Sequence, residues 1–149
     1  MKKIIIVFFM MLLAASQSLA QTTVVFDFTT AEGLLALGIA YPITATTSEG
    51  AFCTKLEEGK AYLSQEGVSL TAKHGNTPTR VWLSAKGILD FRHYKTGVLT
   101  FTAPPKTMIT KIVFDGGDLS GLTTLTDNAW TGKASVVDIP AADGASTIK

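Results

Sequence analysis

The sequence is poor in the residues that would cross-link a small fold or build a catalytic centre. A single cysteine, Cys53, excludes an intrachain disulfide. The two histidines, His74 and His93, have no metal-ligand spacing to each other or to that cysteine. Neither a GxSxG nucleophile elbow nor a Walker phosphate loop is present. Stability must therefore come from a hydrophobic core, and the sequence predicts neither an enzyme nor a cofactor.

Charge is also scarce, and it is balanced. The 149 residues carry 13 Lys and Arg against 12 Asp and Glu, with no basic patch or run of one sign. Because nucleic-acid binding proteins carry clustered positive charge, nucleic acid is not a predicted partner. Glu57 and Glu58 are expected to be solvated loop charges. The acids of Asp115–Asp118 could donate oxygens to Ca²⁺, but Gly and Asp favour an ordinary turn and no metal site is predicted.

The one long hydrophobic run is at the start of the chain. Basic Met1–Lys3 precedes twelve apolar residues, Ile4–Ala15, and Ser18–Ala20 supplies the small residues that signal peptidase reads. Twelve apolar residues are short for an uncleaved anchor in a hydrocarbon core of ~30 Å. Residues 1–20 are therefore a predicted signal peptide, cleaved before Gln21. The mature protein is expected in the periplasm, on the cell surface or outside the cell, with no membrane span.

Residues 21–149 are expected to form one domain. About ten short segments with apolar–polar alternation, separated by turn residues, favour an all-β antiparallel sandwich or jelly-roll-like fold over a parallel α/β sheet. The first strand is predicted over Thr22–Thr29. A short helix follows, because Thr29 and Glu32 have capping-box spacing, and Gly38 ends it. The helix leucines expected to pack on the sheets are Leu34, Leu35 and Leu37.

The stretch Thr79–Pro104 is predicted to be three consecutive antiparallel strands. Ser84–Gly87 is expected to be a four-residue loop between the first two. Lys95–Gly97 fits a three-residue hairpin in which Gly97 takes the left-handed conformation. Period two places Val81, Leu83, Leu89, Phe91 and His93 toward the core, where His93 is expected to be hydrogen-bonded.

Further strands are predicted after this stretch. They cover Met108–Phe114, Leu122–Thr126 and Ala134–Ile139, with Trp130–Gly132 between the last two. Ala145–Lys149 has the character of a strand that is just beginning. A sandwich of this type needs that strand completed, so we expect the sequence to be part of a longer reading frame, truncated at its C-terminal strand.

The order of several segments resembles a group of small secreted modules from Gram-negative bacteria of the gut and mouth. The segments are Val25–Phe28 with the Thr-Ala-Glu-Gly helix start, Thr79–Trp82, Leu89–Tyr94, Ile109–Phe114 and Trp130–Gly132. The resemblance covers nearly all of the mature chain and implies a β-sandwich and export. It implies no active site, since none is established for the group. In that group a Val-like residue usually occupies the position of His93, which does not favour a functional role for this histidine.

The strongest functional signal is the polar and aromatic side of the predicted hairpin. Aromatic rings can cover the apolar face of a sugar while Arg and Asp bind its hydroxyl groups. The same residue types are common at protein interfaces. In a purely structural alternative, Trp82 belongs to a second core layer and Arg92 pairs with Asp90. The predicted ligand-binding residues are Arg80, Trp82, Asp90, Arg92 and Tyr94.

The function predicted from these features is that of a secreted, non-enzymatic binding module, with a glycan as the first expected ligand and a surface protein as the other. The alternative is a structural or adhesive cell-surface domain of a longer protein. A hydrolase with an unrecognised site is a third and weaker interpretation.

Overall fold

The computed structural model describes residues 22–44, 52–142 and the backbone of 145–148, so the predicted signal peptide lies outside the described residues. These parts of the chain are mostly β, with one short helix and ten strands in three antiparallel sheets. The elements are α1 (Ala31–Ala36), β1 (Phe52–Lys55), β2 (Tyr62–Leu63), β3 (Ser69–Lys73), β4 (Arg80–Leu83), β5 (Leu89–Tyr94), β6 (Val98–Thr102), β7 (Ile109–Val113), β8 (Ala129–Ala134), β9 (Val136–Pro140) and β10 (Ala145–Ile148).

The strands are divided between two four-stranded sheets and one small sheet. The first sheet has the order β1-β4-β5-β10, the second has β2-β3-β6-β9, and β7 pairs with β8 in the small sheet. The predicted loop between β4 and β5 is confirmed. In it the Gly87 amide donates to the Ser84 carbonyl at 2.9 Å, and Gly87 takes a φ of 77° that favours glycine.

The predicted third strand of the central stretch does not pair with the second, and that expectation is wrong. Strand β6 belongs to the second sheet, so residues 95–97 carry the chain from one sheet to the other. The left-handed residue is Thr96, with φ of 65°, and its amide donates to the Ala141 carbonyl at 2.7 Å. Gly97 is needed for space instead, because a Cβ there would lie 2.6 Å from His93 Cε1.

One hydrophobic cluster takes side chains from both four-stranded sheets and from the helix region. In β5 the buried residues alternate with half-buried ones, as period two requires. In the helix, Leu34 and Leu37 are buried at a spacing of three, whereas Leu35 is 57% exposed and does not pack on the sheets as predicted. Fully buried members of the cluster include Leu34, Leu70, Val81, Phe91, Leu99 and Ile139.

The strand predicted over Thr22–Thr29 is not formed. Residues 22–28 have no ladder partner in the described part of the chain. The alternation there serves side-chain packing instead, because the Phe28 ring lies 4.2 Å from that of Phe91 and the Phe26 ring lies 5.8 Å from that of Phe101. The segment therefore contacts both sheets through aromatic rings and joins neither.

The helix begins one residue later than its capping pattern predicts. The Asp27 carboxylate accepts hydrogen bonds from the Thr29 amide and hydroxyl, each at 2.7 Å, and this turn occupies Thr29. Thr30 is the N-cap, and its hydroxyl oxygen accepts from the Gly33 amide at 3.0 Å. The Thr30 hydroxyl also donates to Oδ2 of Asp27 at 2.5 Å, and this bond, followed by those from Thr29, lowers the pKa of Asp27.

Two further strand predictions in the C-terminal half are wrong. Leu122–Thr126 forms successive turns, because its leucines recur every third residue and the Leu125 amide donates to the Leu122 carbonyl at 3.2 Å. Trp130–Gly132 does not separate two strands but lies inside β8, paired with β7. The predicted strand Ala134–Ile139 corresponds to the end of β8 and most of β9.

Candidate functional site

The five predicted site residues lie on one side of the first sheet, in strands β4 and β5. Arg80 is opposite Arg92 and Trp82 is opposite Asp90, while Tyr94 follows Arg92 at a spacing of two. Residues directly opposite each other in an antiparallel pair share a face, as do residues two apart in a strand. On the inward side of the same strands, Val81, Leu89 and Phe91 belong to the hydrophobic cluster. We call this side of the first sheet, in β1, β4 and β5, the outer face.

Trp82 is not an open aromatic platform. Its side chain is 7% exposed, and yet it does not belong to the hydrophobic cluster. Two guanidinium groups cover the ring: the Cζ atom of Arg92 lies 4.1 Å from the ring centroid and that of Arg80 lies 5.3 Å away. These distances are those of cation–π contacts. Trp82 is therefore buried beneath arginines, which neither the stacking interpretation nor the core-layer alternative predicted.

Arg80 is fixed between two aromatic rings. Its Nε atom donates a hydrogen bond to the Tyr94 hydroxyl at 2.9 Å, and its Cζ atom lies 5.0 Å from the centroid of the Tyr94 ring. The same guanidinium group lies over Trp82. A hydrogen bond and two ring contacts restrict the rotamers of a side chain that would otherwise lose much entropy on binding a ligand.

Arg92 is held less completely. Its Nη2 atom lies 3.6 Å from Oδ2 of Asp90, an ion pair beyond hydrogen-bonding distance. The Arg92 Nε atom is buried and has no hydrogen-bond partner in the described part of the chain. The pairing with Asp90 that the structural alternative expected is present, but it leaves donors of Arg92 unused.

Strand β1 adds two residues to the outer face that sequence reasoning missed. Cys53 lies opposite Trp82, and Lys55 lies opposite Arg80. Cys53 is half-buried. Lys55, Arg80 and Arg92 are successive partners across three strands, and we call them the cation row. Local sequence patterns contain no signal for this row, because the β1–β4 pairing is not a hairpin.

His93 lies on the opposite, inward side of β5 and is fully buried beside Thr79. The two side chains share a hydrogen bond of 2.8 Å between Thr79 Oγ1 and His93 Nδ1. Burial lowers the pKa of His93 to about 4, which the backbone of Gly97 opposes only in part. The histidine is therefore neutral near pH 7 and is hydrogen-bonded in the core, as the sequence predicts.

The described residues contain no group of three or more His, Cys, Asp or Glu side chains placed to hold a metal ion. At the end of the Asp115–Asp118 segment, Oδ1 of Asp118 accepts from the Ser120 hydroxyl at 2.6 Å and from the Ser120 amide at 3.0 Å. These bonds lower the pKa of Asp118. The acid stabilises its own turn, as short Asp turns commonly do.

The outer face adjoins a small surface depression. This depression has a volume of about 190 Å³, and its walls include Lys55, Glu57, Lys60 and Tyr62. Glu57 and Lys60 form an ion pair of 2.6 Å within it. A larger depression of about 450 Å³ lies between the turns of residues 119–128 and includes none of the predicted site residues.

No helix in residues 22–44 and 52–142 has the length and apolar character needed to cross a membrane. No family model matches the sequence, and neither the curated proteins nor the solved structures contain a match to it.

Proposed function

We propose that this chain is a secreted carbohydrate-binding module without enzymatic activity, and that its ligand lies across the outer face. One observation carries the proposal: two guanidinium groups are held over aromatic rings beside a carboxylate, on one side of one sheet. Groups that are already ordered lose little conformational entropy when a ligand binds. Such an arrangement favours hydrogen-bonding recognition of a polar ligand.

The chemistry of the face suits a sugar better than an apolar partner. Guanidinium N–H groups of Arg80 and Arg92 donate to hydroxyl and ring oxygens, and the Asp90 carboxylate accepts from sugar hydroxyls. Trp82 contributes from beneath, because its ring fixes both arginines and does not itself stack on the ligand. This role differs from the direct stacking that its residue type predicted.

The proposal includes a β-sandwich, jelly-roll-like arrangement of the two four-stranded sheets. It is supported by the shared hydrophobic cluster, to which Val81 and Phe91 of the first sheet and Leu70 and Ile139 of the second belong. Sheets that pack face to face bury one side of each strand and leave the other side free. The outer face would then be the free side of the first sheet.

A glycan array compares the mature protein with two tyrosine variants. Tyr94→Phe removes the hydroxyl that accepts from Arg80, and we expect affinity to fall about tenfold, the equivalent of one hydrogen bond of roughly 1.4 kcal/mol. Tyr41→Phe is the control, because Tyr41 is 38% exposed and lies outside the outer face. Absence of any retained glycan would favour the structural or adhesive alternative, and equal retention by both variants would show that the glycan binds away from the outer face.

A further inference from the structure

The cation row is an unusual arrangement for a sheet. Lys55, Arg80 and Arg92 are direct cross-strand partners, and like charges directly opposite each other destabilise a sheet. The only acidic side chain from β1, β4 and β5 on the outer face is Asp90, which lies in the neighbouring row opposite Trp82. Three cations against one carboxylate leave the described part of the face with a positive excess, although the whole sequence has a formal charge of only +1.

The row also has unused hydrogen-bond donors. Lys55 is exposed and has no ion pair or hydrogen bond with the described residues. Arg92 has its buried, unpartnered Nε, and Arg80 uses its Nε on Tyr94 while its two terminal nitrogens have no described partner. An anion placed over the row would relieve the like-charge repulsion and accept from Lys55 and from the terminal guanidinium nitrogens, whereas the Arg92 Nε is buried and out of its reach.

We propose that the outer face selects an acidic glycan, whose carboxylate or sulfate group lies over the cation row while a neighbouring hydroxyl donates to Asp90. This inference rests on the proposed function and adds the charge class of the ligand. Arginine suits either anion because its planar fork can bind two oxygens at once. The ring of Trp82 and the Tyr94 hydroxyl hold the guanidinium groups in place for this contact.

Two features favour a glycan over a nucleic acid as the source of negative charge. The Asp90 carboxylate would repel a phosphodiester chain, and DNA, unlike a glycan, has no free hydroxyl along its chain to donate to this carboxylate. Single-stranded nucleic acids also bind through bases stacked on open aromatic rings, and the Trp82 ring is covered.

Binding of the mature protein to two matched pairs of polysaccharides tests the inference. The pairs are polygalacturonate with its carboxyl-reduced form, and dextran sulfate with dextran. We expect the charged member of at least one pair to bind at least about tenfold more tightly than its neutral partner at about 50 mM NaCl, and the preference to shrink at about 500 mM. The pair that shows the preference identifies carboxylate or sulfate.

Other results would overturn the inference in distinguishable ways. Equal binding of charged and neutral members would remove the acid preference and leave the proposed function standing. Binding of no polysaccharide, on these pairs or on the array, would overturn both. Tighter binding of a short single-stranded oligonucleotide than of either charged polysaccharide would replace the glycan with a nucleic acid.

A pair of lysine variants separates the cation row from general charge attraction. Lys55 and Lys111 are both exposed strand residues without a partner in the described chain, but Lys111 lies in β7 of the small sheet. We expect Lys55→Gln to weaken binding of the preferred charged polysaccharide up to about fivefold, and to weaken binding of its neutral partner by less. Lys111→Gln should change neither. Equal losses in the two variants would overturn the inference, because they would show that location does not matter.

Discussion

Replacing Trp82 by alanine tests whether the outer face is an ordered, covered layer. The ring is 7% exposed, and its cover consists of two guanidinium groups with Cζ atoms 4.1 and 5.3 Å from the ring centroid. Removing the ring takes away the surface on which Arg80 and Arg92 rest. It also leaves a space beneath two charged groups that prefer water to a cavity.

The expected loss follows from burial and from the cation–π contacts. Truncating a core tryptophan costs about 3–5 kcal/mol. The site here is outside the hydrophobic cluster, and the long arginine side chains can settle into part of the space, which lowers that cost. Two cation–π contacts add about 0.5–1 kcal/mol each. We therefore expect Trp82→Ala to lower the free energy of unfolding by about 3 kcal/mol.

Urea unfolding followed by circular dichroism measures this loss without using tryptophan fluorescence. With a slope of about 1.5 kcal/mol per molar urea, the midpoint should fall by about 2 M. Trp82→Phe is the matched control, because it keeps an aromatic face beneath the arginines and should lose less than about 1.5 kcal/mol. A midpoint change below about 0.3 M for the alanine variant would show that the ring is not covered and would refute the reasoning.

Two further predictions concern the core and the helix. Burial lowers the pKa of His93 from 6.5 to about 4, so as the pH falls the unfolded chain takes up a proton on this histidine before the folded protein does. The contribution of His93 to the free energy of unfolding is therefore full above pH 6.5. It should decline by roughly 3 kcal/mol as the pH falls to about 4. Urea midpoints over this range should decline more steeply for the wild type than for His93→Leu, and parallel curves would contradict the assignment. Thr30→Ala should cost about 1 kcal/mol because it removes the N-cap acceptor for the Gly33 amide. Thr29→Ala should cost less. A larger loss of melting temperature for Thr29→Ala than for Thr30→Ala would show that Thr29 is the N-cap, as its spacing to Glu32 predicts.

The all-β character was predictable because the strands that matter most have one buried face. In β4 and β5, Val81, Leu89 and Phe91 are buried at the period of two that their positions indicate. Strand pairing was not predictable from the same pattern. The alternation of apolar and polar residues in β6 is the same whether this strand pairs with β5 or belongs to the second sheet. At the crossing between the sheets, the Thr96 amide donates a hydrogen bond to the carbonyl of Ala141, which is distant in the sequence.

Two strand predictions failed because apolar spacing reports side-chain burial and not backbone pairing. Phe26 and Phe28 alternate like strand residues, yet they are positioned by rings of the two sheets. Leu122 and Leu125 lie among β-branched threonines, which favour strands, but their spacing of three is that of consecutive turns. A period of two over several positions is therefore the minimum signal for a strand, and even that signal does not supply a partner.

The candidate site shows the same limit and its consequence for function. Alternation within the β4–β5 hairpin places Trp82 on the outer face, but its ring is covered by side chains that lie two positions away along the strands. Arg80 lies at that spacing along β4, and Arg92 is the diagonal neighbour on β5, both within reach of a long side chain. Lys55 enters through a nonlocal pairing and completes the cation row. The hairpin pattern by itself therefore predicts a sugar stacked on an open ring, whereas the assembled sheet presents ordered cations above a covered ring, and it is from this arrangement that we infer an anionic ligand.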